Sequence, residues 1–530
     1  MRVVRGAAVP AVVILAVALA GCTAAEPYAP RIELGDAPPA DAVELAEGAL
    51  DPALESLPEL VERVLDETGV PGAAVAVVHQ GETVFAEGFG VRKVGEDDPV
   101  DAETVFQVAS MSKPIGATVV ATQVTDGVVG WDTPVAPLLP GFALADPWVT
   151  EHLTVGDLYA HRSGLPLAAG DDLEDLGYDR EYVIDHLRYQ PLNPFRVSYG
   201  YANFGMTTGA EAVANAAGVD WETLSEQAIY EPLGMTSTSS RHDDFLARDD
   251  RAALHALVDG EFQPLYERDP DAQSPAGGVS SNVVDVAKWM SFVLADGVAE
   301  GETLVDAADL AAAMRPQVTS APSNVPGMRS GSYGFGFNVG TQTSGRATAS
   351  HSGAFVLGAG TNFQLVPSLG LGVVALTNGA PVGAAEAIVS EFLDLVQYGE
   401  STRDWGEAYG AALAHYREPA GDLVDESAPA SPAAPSASLE SFAGTWSNEY
   451  FGPAEVAVEG GALVVRLGPD GGSEISLEAW DGDVFAFTPD GENAPEGSRS
   501  SATFVLGDAA GTSTMTLQFF DVNGLGTWTR

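Results

Sequence analysis

The stretch Phe106-Gln-Val-Ala-Ser110-Met-Ser-Lys113-Pro114 places a serine and a lysine three residues apart, immediately before an apolar run. If a helix begins with Ser110 as its N-cap, one helical turn brings the two side chains to the same face. Pro114 then falls in the first turn, where its missing N–H costs little, and Gly127 is a natural end for the helix. The pattern predicts a serine hydroxyl within reach of an amine that can accept its proton.

A Ser-x-x-Lys spacing also arises by chance, and in a lysine-rich chain it would recur many times. This chain has only the lysines Lys93, Lys113 and Lys288. Lys113 is followed by Pro-Ile-Gly-Ala-Thr-Val-Val, which is a poor setting for an ordinary solvated ammonium group. The spacing is therefore a catalytic hypothesis that needs support from other motifs.

Length and charge set the limits on the fold and on the partners. The chain has 530 residues, of which 45% are hydrophobic, which is enough for a large core and more than one domain. Acidic residues outnumber basic ones 75 to 24, and the formal net charge is −51. Such a surface repels nucleic-acid phosphates and anionic membranes, so we expect neither as a partner of the folded part.

The N-terminus has the pattern of a targeting sequence. Arg2 and Arg5 precede an apolar stretch, residues 7–20, that is too short to span a bilayer comfortably. The stretch ends in Leu19-Ala20-Gly21-Cys22, and Cys22 is the only cysteine. This resembles the lipobox of bacterial lipoproteins and predicts a signal peptide over 1–22, lipidation of Cys22 and an exported, cell-surface protein. An ordinary secretory signal, and hence a secreted protein, is the alternative.

Residues 23–51 are rich in alanine, proline and acidic residues without periodicity, as in a flexible tether. Residues 52–415 then place strand patterns at both ends and helical patterns in the middle. The early strands form a hairpin that turns at Gln80-Gly81, and the late strands lie after residue 333. The simplest arrangement is an α+β domain with one antiparallel sheet flanked by helices and a separate helical lobe.

The segment that contains His161 allows two interpretations. Thr154 and Asp157 have capping-box spacing at the start of a short helix, and His161 follows near its end. His161 could act as a ligand or a base, but no second histidine or carboxylate lies at ligand spacing, which favours a structural role. The eight histidines are scattered, so we expect neither a metal nor a cofactor.

Two further motifs carry a resemblance to a known family. Tyr201-Ala-Asn203 lies in a small-residue loop, and His351-Ser352-Gly353 lies on a predicted strand. Together with Ser110-x-x-Lys113 and in this order, they resemble the motif set of serine β-lactamases and penicillin-binding proteins. The likeness covers roughly residues 52–400 and is strongest to the class C β-lactamase, D-aminopeptidase and esterase branch. A cleft between sheet and helical lobe would bring Ser110, Tyr201 and His351 together.

The resemblance implies a β-lactamase-like fold and a serine hydrolase that cleaves a peptide, amide or ester bond. Ser110 would form an acyl-enzyme, and Lys113 would keep its hydroxyl activated. Tyr201 would share the role of base, with a phenol acidified by the neighbouring ammonium. Which of Lys113 and Tyr201 accepts the proton stays open.

The resemblance also assigns the substrate-binding groups. Asn203 would orient Lys113 and the acyl-side amide, and the backbone N–H groups of Ser110 and Ala354 would form the oxyanion hole. His351, Ser352 and Gly353 would line the substrate site. Most relatives have lysine in place of His351, and a histidine is charged only part of the time near neutrality. We therefore expect the rate to change with pH near about pH 6.5, and we favour peptidase, amidase or esterase activity over true β-lactamase activity.

Three other functions remain open at this level. A β-lactamase or a D,D-carboxypeptidase of cell-wall metabolism would use the same residues, and a non-turnover penicillin-binding receptor would be acylated once. The substrate would be a small molecule or a peptide, with the cell wall as one candidate source. The oligomeric state is unknown at this stage.

The C-terminal part differs in character. Residues 416–438 form a linker of alanine, proline, serine and acidic residues, and residues 439–530 contain short alternating strands that predict a small β-barrel-like domain. Its opening, Phe442-Ala-Gly-Thr-Trp446-Ser-Asn448, resembles the lipocalin-like domains of some of these hydrolases. In such relatives the domain can border the active site or mediate assembly. A passive stabilising or wall-contacting role is the alternative.

Overall fold

The computed structural model describes residue 45, residues 48–507 and residues 511–530. The predicted signal peptide, the lipidation site Cys22 and most of the predicted tether lie outside the described residues. Among the helices of the described part, none is both long enough and apolar enough to cross a membrane.

The strands of the described chain are, in order, β1 (Gly72–His79), β2 (Glu82–Gly90), β3 (Phe106–Gln107), β4 (Ala256–Val258), β5 (Glu261–Gln263), β6 (Ser280–Ser281), β7 (Val298–Ala299), β8 (Glu302–Thr303), β9 (Val318–Ala321), β10 (Gly331–Tyr333), β11 (Asn338–Thr341), β12 (Ala347–Phe355), β13 (Ala359–Val366), β14 (Leu371–Thr377), β15 (Gly444–Trp446), β16 (Ala454–Glu459), β17 (Ala462–Leu467), β18 (Ser473–Asp481), β19 (Val484–Phe487), β20 (Ser500–Val505), β21 (Thr514–Leu517) and β22 (Thr527–Thr529).

The α-helices are α1 (Leu50–Thr68), α2 (Ser112–Thr125), α3 (Pro147–His152), α4 (Val155–Tyr159), α5 (Asp171–Asp175), α6 (Arg180–His186), α7 (Asn203–Ala217), α8 (Trp221–Ser225), α9 (His242–Leu246), α10 (Ser274–Gly277), α11 (Val283–Leu294), α12 (Ala307–Ala313), α13 (Ala384–Tyr398) and α14 (Trp405–Ala412).

The early and late strands form one sheet of eight antiparallel strands in the order β2-β1-β14-β13-β12-β11-β10-β9. The first hairpin turns at Gln80 and Gly81, whose positive φ angles of 53° and 84° suit a tight turn, as predicted. The last strand of the domain, β14, pairs with β1 and so connects the two ends of the catalytic region. The predicted α+β architecture is confirmed.

The central strands of this sheet are covered on both faces. Along β1, Ala73, Val75 and Val77 pack into a core with α1 and α13, because side chains alternate between the faces of a strand. The intervening Ala74, Ala76 and Val78 pack into the core that contains α2, α7 and α11. The helical lobe, residues 147–246 with residues 271–277, packs into this second core, and the candidate site forms where the lobe meets β12.

The C-terminal strands β15–β22 form a second antiparallel sheet in sequential order. The sheet nearly closes into a barrel, because Ser447 and Thr529 exchange backbone hydrogen bonds of 2.8 and 2.9 Å between its first and last strands. Its interior is filled by large aromatic side chains, among them Trp446, Phe504 and Trp528. This sheet agrees with the predicted small all-β fold.

The barrel docks on the helical lobe through buried polar contacts. Tyr178 donates to the carbonyl oxygen of Phe451 at 2.8 Å. Tyr450 donates to Oδ1 of Asp172 at 2.6 Å and accepts a hydrogen bond of 2.7 Å from the amide of Gln190. These contacts fix residues 171–190 of the lobe against the C-terminal sheet, next to the candidate site.

Candidate active site

Ser110 lies in a tight turn that precedes α2. The turn is a single 3₁₀ segment, Ala109–Met111, and Ala109 has a positive φ of 48°, a backbone conformation that costs a non-glycine residue about 1–2 kcal/mol. Helix α2 begins only at Ser112, so the prediction that Ser110 is the N-cap is wrong. Strained turns of this kind persist where surrounding contacts fix them, and they hold a side chain away from its own helix.

Contacts from Ser112 hold this turn in place. Its hydroxyl donates to the carbonyl oxygen of Ala109 at 2.7 Å and accepts the N–H of Val279 at 2.9 Å. From the other side, Thr361 on β13 donates to the carbonyl oxygen of Val108 at 2.9 Å. The second serine of the Ser-Met-Ser stretch is therefore structural, and the hydroxyl of Ser110 is left for the cleft.

Lys113 is fully buried, yet its amine has three oxygen neighbours. Nζ lies 3.0 Å from Oγ of Ser110, 2.8 Å from Oδ1 of Asn203 and 2.8 Å from the carbonyl oxygen of Ala276. Burial lowers the pKa of Lys113 to about 7, although the nearby carboxyl groups of Asp171 and Glu174 act in the opposite direction. A substantial fraction of this amine is therefore neutral near pH 7 and can accept a proton.

Tyr201 reaches the same hydroxyl from the helical lobe, where it lies just before α7. Its phenol donates a hydrogen bond of 2.8 Å to Oγ of Ser110, and Nζ of Lys113 lies 4.5 Å from the centre of its ring. Burial raises the pKa of Tyr201 well above its ordinary value, and the hydrogen bond with Ser110 only partly offsets this. The expectation of an acidified phenol is therefore wrong, and Tyr201 keeps its proton.

His161 supports this tyrosine. Its ring is buried, its Nδ1 accepts the backbone N–H of Ala202 at 3.2 Å, and its centre lies 4.5 Å from that of the Tyr201 ring. Burial lowers the pKa of His161 well below its usual value, and the charge of Lys113 adds to the effect. These contacts agree with the structural role favoured for His161.

His351, on β12, is also buried and neutral. Its Nδ1 lies 2.6 Å from the carbonyl oxygen of Ser352 and its Nε2 lies 2.9 Å from the hydroxyl of Tyr333. A carbonyl oxygen can only accept, so Nδ1 carries the proton and Nε2 accepts from the tyrosine. Burial and the charge of Lys113 lower the pKa of His351 to about 3. The expectation of a partly charged histidine near neutrality is therefore wrong.

Gly353 allows β12 to pass directly over the serine turn. A Cβ atom at this position would lie 2.3 Å from the carbonyl oxygen of Val108 and 3.0 Å from the backbone nitrogen of Ser110. Only glycine fits such an approach. It places Gly353, the residue before Ala354, beside the nitrogen of Ser110, and the oxyanion hole of the Ser110 and Ala354 N–H groups stays a prediction.

The predicted site residues meet in one cleft with a volume of about 600 Å³. Its walls include Ser110, Tyr201, Asn203, His351, Ser352 and Ala354. Lys113 and Tyr201 hydrogen-bond the hydroxyl of Ser110, and His351 lines the same cleft, so the three motifs meet at one site.

The cleft also contains ionisable residues that the motifs did not indicate. Asp171 accepts a hydrogen bond of 3.0 Å from the side-chain amide of Asn203, and burial raises the pKa of Asp171 to about 8. Glu174 pairs with the guanidinium of Arg268 at 2.9 Å and accepts a further hydrogen bond from Gln273. The acidic run Asp171-Asp-Leu-Glu-Asp175, soon after the His161 motif, was the available signal.

The C-terminal domain and the segment before it complete the cleft. Glu492 accepts the backbone N–H groups of Val356 and Leu357 at 2.5 and 3.3 Å, in the turn that follows β12. Asn493 donates to Asp175 at 2.7 Å, and the segment 413–420 contributes further wall residues, including Tyr416. The domain therefore borders the cleft, which favours the first of the alternatives considered for it.

Comparison with known proteins identifies the class. A family model described as Beta-lactamase matches residues 57–396, so the chain belongs to the β-lactamase family, whose members include serine hydrolases and penicillin-binding proteins. A second model, a domain of unknown function named DUF3471, matches residues 428–526.

Two curated relatives and one solved structure illustrate the similarity. The chain is 29% identical to an unguisins hydrolase of Aspergillus campestris, over 62% of each protein, so it spans less than two thirds of that relative. It is 31% identical to penicillin-binding protein 4 of Amycolatopsis lactamdurans, over 61% of this chain and 84% of the relative. An octameric penicillin-binding protein homologue from Pyrococcus abyssi shares the fold, with a TM-score of 0.57 at 20% identity over 90% of this chain and 99% of that one.

Proposed function

We propose that this serine hydrolase cleaves a peptide, amide or ester bond through an acyl-enzyme formed on Ser110. The observation that carries the proposal is that Oγ of Ser110 lies 3.0 Å from the amine of Lys113 and 2.8 Å from the phenol of Tyr201. A nucleophile flanked by a proton acceptor and a proton donor has what both halves of acyl transfer require.

The pKa values support a division of the two roles. Lys113, with a pKa of about 7, accepts the proton of Ser110 as Oγ forms its bond to the substrate carbonyl carbon. Tyr201, whose pKa is raised by burial, donates its proton to the departing nitrogen or oxygen as that bond breaks, and the Lys113 ammonium resupplies it. Water then attacks the acyl-enzyme, and the same groups return the protons. The N–H groups of Ser110 and Ala354 stabilise the oxyanion both when the acyl-enzyme forms and when it is hydrolysed.

The charges of the cleft favour substrates without a carboxylate near the leaving group. Glu386 and Glu492 line the cleft, and burial raises the pKa of both carboxyls, that of Glu492 to about 7. The cation Arg268 is paired with Glu174, and His351 is neutral. A β-lactam or a D-Ala-D-Ala terminus would bring its carboxylate to a cleft in which Arg268 is already paired and His351 carries no charge, so neither of these side chains would receive it. Peptidase, amidase or esterase activity is therefore the leading proposal.

A β-lactamase, a D,D-carboxypeptidase or a non-turnover receptor is the second candidate, favoured by the 31% identity to a penicillin-binding protein. One panel separates the candidates: nitrocefin, a D-Ala-D-Ala peptide, D-amino-acid amides and short-chain nitrophenyl esters, each with wild type and Ser110→Ala. We expect turnover of esters or amides, lost in the variant, and little turnover of nitrocefin. Steady nitrocefin hydrolysis, or labelling without turnover, would establish the second candidate instead.

We further propose that the protein is exported and anchored to the cell surface by lipid on Cys22, with a secreted form as the alternative. The support is the sequence Leu19-Ala20-Gly21-Cys22 after an apolar stretch. Labelled palmitate should enter the wild-type protein in a bacterial host, and Cys22→Ser should abolish both labelling and partition into detergent. Equal detergent partition of the two proteins would contradict the anchor.

A further inference from the structure

A second cavity adjoins the active-site cleft where the helical lobe meets the C-terminal barrel. Its volume is about 540 Å³, and its walls come from the start of α5 on one side and from residues 518–525 on the other. The residues that line both this cavity and the cleft are Leu167, Ala168, Asp171, Ala420 and Asn493. The two spaces are therefore adjoining parts of one recess that begins at Ser110.

Apolar side chains stand uncovered along this second cavity. Leu167 is 70% exposed and Val522 is 86% exposed, and Phe519 beside them is only partly buried. Removing such apolar surface from water is favourable. A ligand with an apolar group could cover these neighbouring side chains together. Single apolar residues scattered over a surface would not provide such a site.

The boundary between the two spaces is polar and incompletely paired. Within the described chain, Oδ1 of Asp171, which lines both spaces, is buried without a hydrogen-bond partner. The same holds for Oε1 of Glu174, which lines the cleft alone and whose side chain is only 6% exposed. Leaving a buried oxygen unpaired is unfavourable. A peptide group can satisfy either form of a carboxyl, because its N–H donates to the ionised form and its C=O accepts from the protonated form. A bare alkyl chain can do neither.

We propose that the second cavity is a subsite for the acyl half of a peptide substrate, with an apolar side chain against Leu167, Phe519 and Val522 and a backbone amide beside Asp171. The acyl half is assigned because Asp171 accepts from Asn203, the residue that the family resemblance places next to the acyl-side amide. The inference rests on the proposed hydrolysis at Ser110.

The test compares nitrophenyl esters that differ only in the acyl group: N-acetylglycine, N-acetylphenylalanine in both enantiomers, and hexanoate. We expect kcat/KM for one N-acetylphenylalanine enantiomer to exceed that for N-acetylglycine by at least about tenfold. Val522→Asp and Leu167→Asp should each lower this ratio about tenfold, because a charge on the wall opposes an apolar side chain. Val505→Asp is the matched control, since Val505 is 58% exposed and lines neither space.

Binding provides a readout that does not need turnover. Ser110→Ala protein titrated with N-acetylphenylalaninamide should bind it more tightly than N-acetylglycinamide, and the added Val522→Asp change should abolish the difference. Binding with this preference but no ester turnover would refute the proposed hydrolysis and leave the subsite in place. Three results would overturn the peptide subsite. The first is equal binding of the two amides. The others are a ratio of kcat/KM for the N-acetylphenylalanine and N-acetylglycine esters that neither Val522→Asp nor Leu167→Asp changes, and a higher kcat/KM for the hexanoate ester than for both.

Discussion

The phenol of Tyr333 donates a hydrogen bond to Nε2 of His351 across 2.9 Å, while Nδ1 of the same ring donates to the carbonyl oxygen of Ser352. Both nitrogens are therefore occupied in the neutral ring, and protonation of Nε2 would require the Tyr333 hydroxyl to accept a hydrogen bond where it now donates one. The histidine that replaces the usual lysine of the third motif orients a tyrosine and holds no charge for a substrate carboxylate.

The pH dependence of kcat/KM should therefore follow Lys113. As the pH rises through about 7, the amine loses its proton and becomes able to accept that of Ser110, so kcat/KM should increase. The profile of a nitrophenyl ester, measured from about pH 5.5 to about 9.5 for wild type and His351→Asn, checks this. The increase of kcat/KM near pH 7 should persist in His351→Asn, although kcat/KM of this variant should be lower than that of wild type. Loss of this pH dependence in His351→Asn would mean that His351, and not Lys113, is the group that titrates.

Removal of the amine should abolish most of the activity. Lys113→Met is expected to lower kcat by about 10³-fold or more, within the range of a lost general base, and to remove the limb near pH 7. Lys113→Arg should be equally inactive, because a guanidinium cannot give up its proton near neutrality. Lys288→Met is the control, since Lys288 is partly exposed and pairs with Asp285 away from the cleft. Activity in the arginine variant above about a tenth of wild type would exclude Lys113 as the base.

The role of Tyr201 as donor predicts a dependence on the leaving group. In Tyr201→Phe, kcat for an anilide or amide should fall about 10²–10⁴-fold, because a departing nitrogen needs a proton. The loss for a nitrophenyl ester should be much smaller, since nitrophenolate leaves without one. Single-turnover kinetics on a matched ester and anilide measure the two losses. Equal losses of kcat for the ester and the anilide would mean that Tyr201 assists Ser110 and does not donate a proton to the leaving group.

Asp157 supports the segment that carries His161. Burial raises its pKa, but hydrogen bonds from Arg196, Thr154 and Arg162 outweigh burial and hold the pKa below its usual value. Asp157→Asn should therefore lower the free energy of unfolding in urea at pH 7 by about 2 kcal/mol.

The pH dependence of that loss has a defined sign. A depressed carboxyl pKa stabilises the fold above the unfolded value of about 3.9, and this contribution disappears as the pH falls through the folded value. The difference between wild type and Asp157→Asn should therefore shrink below about pH 4. Asp179→Asn, at an exposed helix N-cap where asparagine serves equally well, is the control and should change stability by less than about 0.5 kcal/mol. A difference that grows on acidification would contradict the ion-pair account.

Much of the site could be predicted from the sequence because the chemistry is local. The spacing of Ser110 and Lys113 fixes their separation within one helical turn, and Thr154 and Asp157 form the capping box that their spacing indicates. Continuous apolar runs in β1 and β14 were sufficient to predict strands at both ends of the domain, and these strands pair in one sheet.

The features of the site that the sequence does not predict depend on residues that are distant in the sequence. The charge of His351 is set by burial and by Lys113, and the partner of its ring is Tyr333 on a different strand. The start of α2 is displaced from Ser110 by contacts of the preceding turn with Val279 and Thr361. Glu492 reaches the cleft from a separate domain, which no spacing within one motif can reveal.

The central claim is that Oγ of Ser110 becomes acylated during turnover. Its most direct test is rapid quenching of the protein with an excess of an ester that it hydrolyses, followed by intact mass measurement and peptide mapping. The account predicts one acyl group per chain, located on Ser110 and not on Ser112, and none in Ser110→Ala. An adduct on another residue, or undiminished turnover in Ser110→Ala, would contradict it.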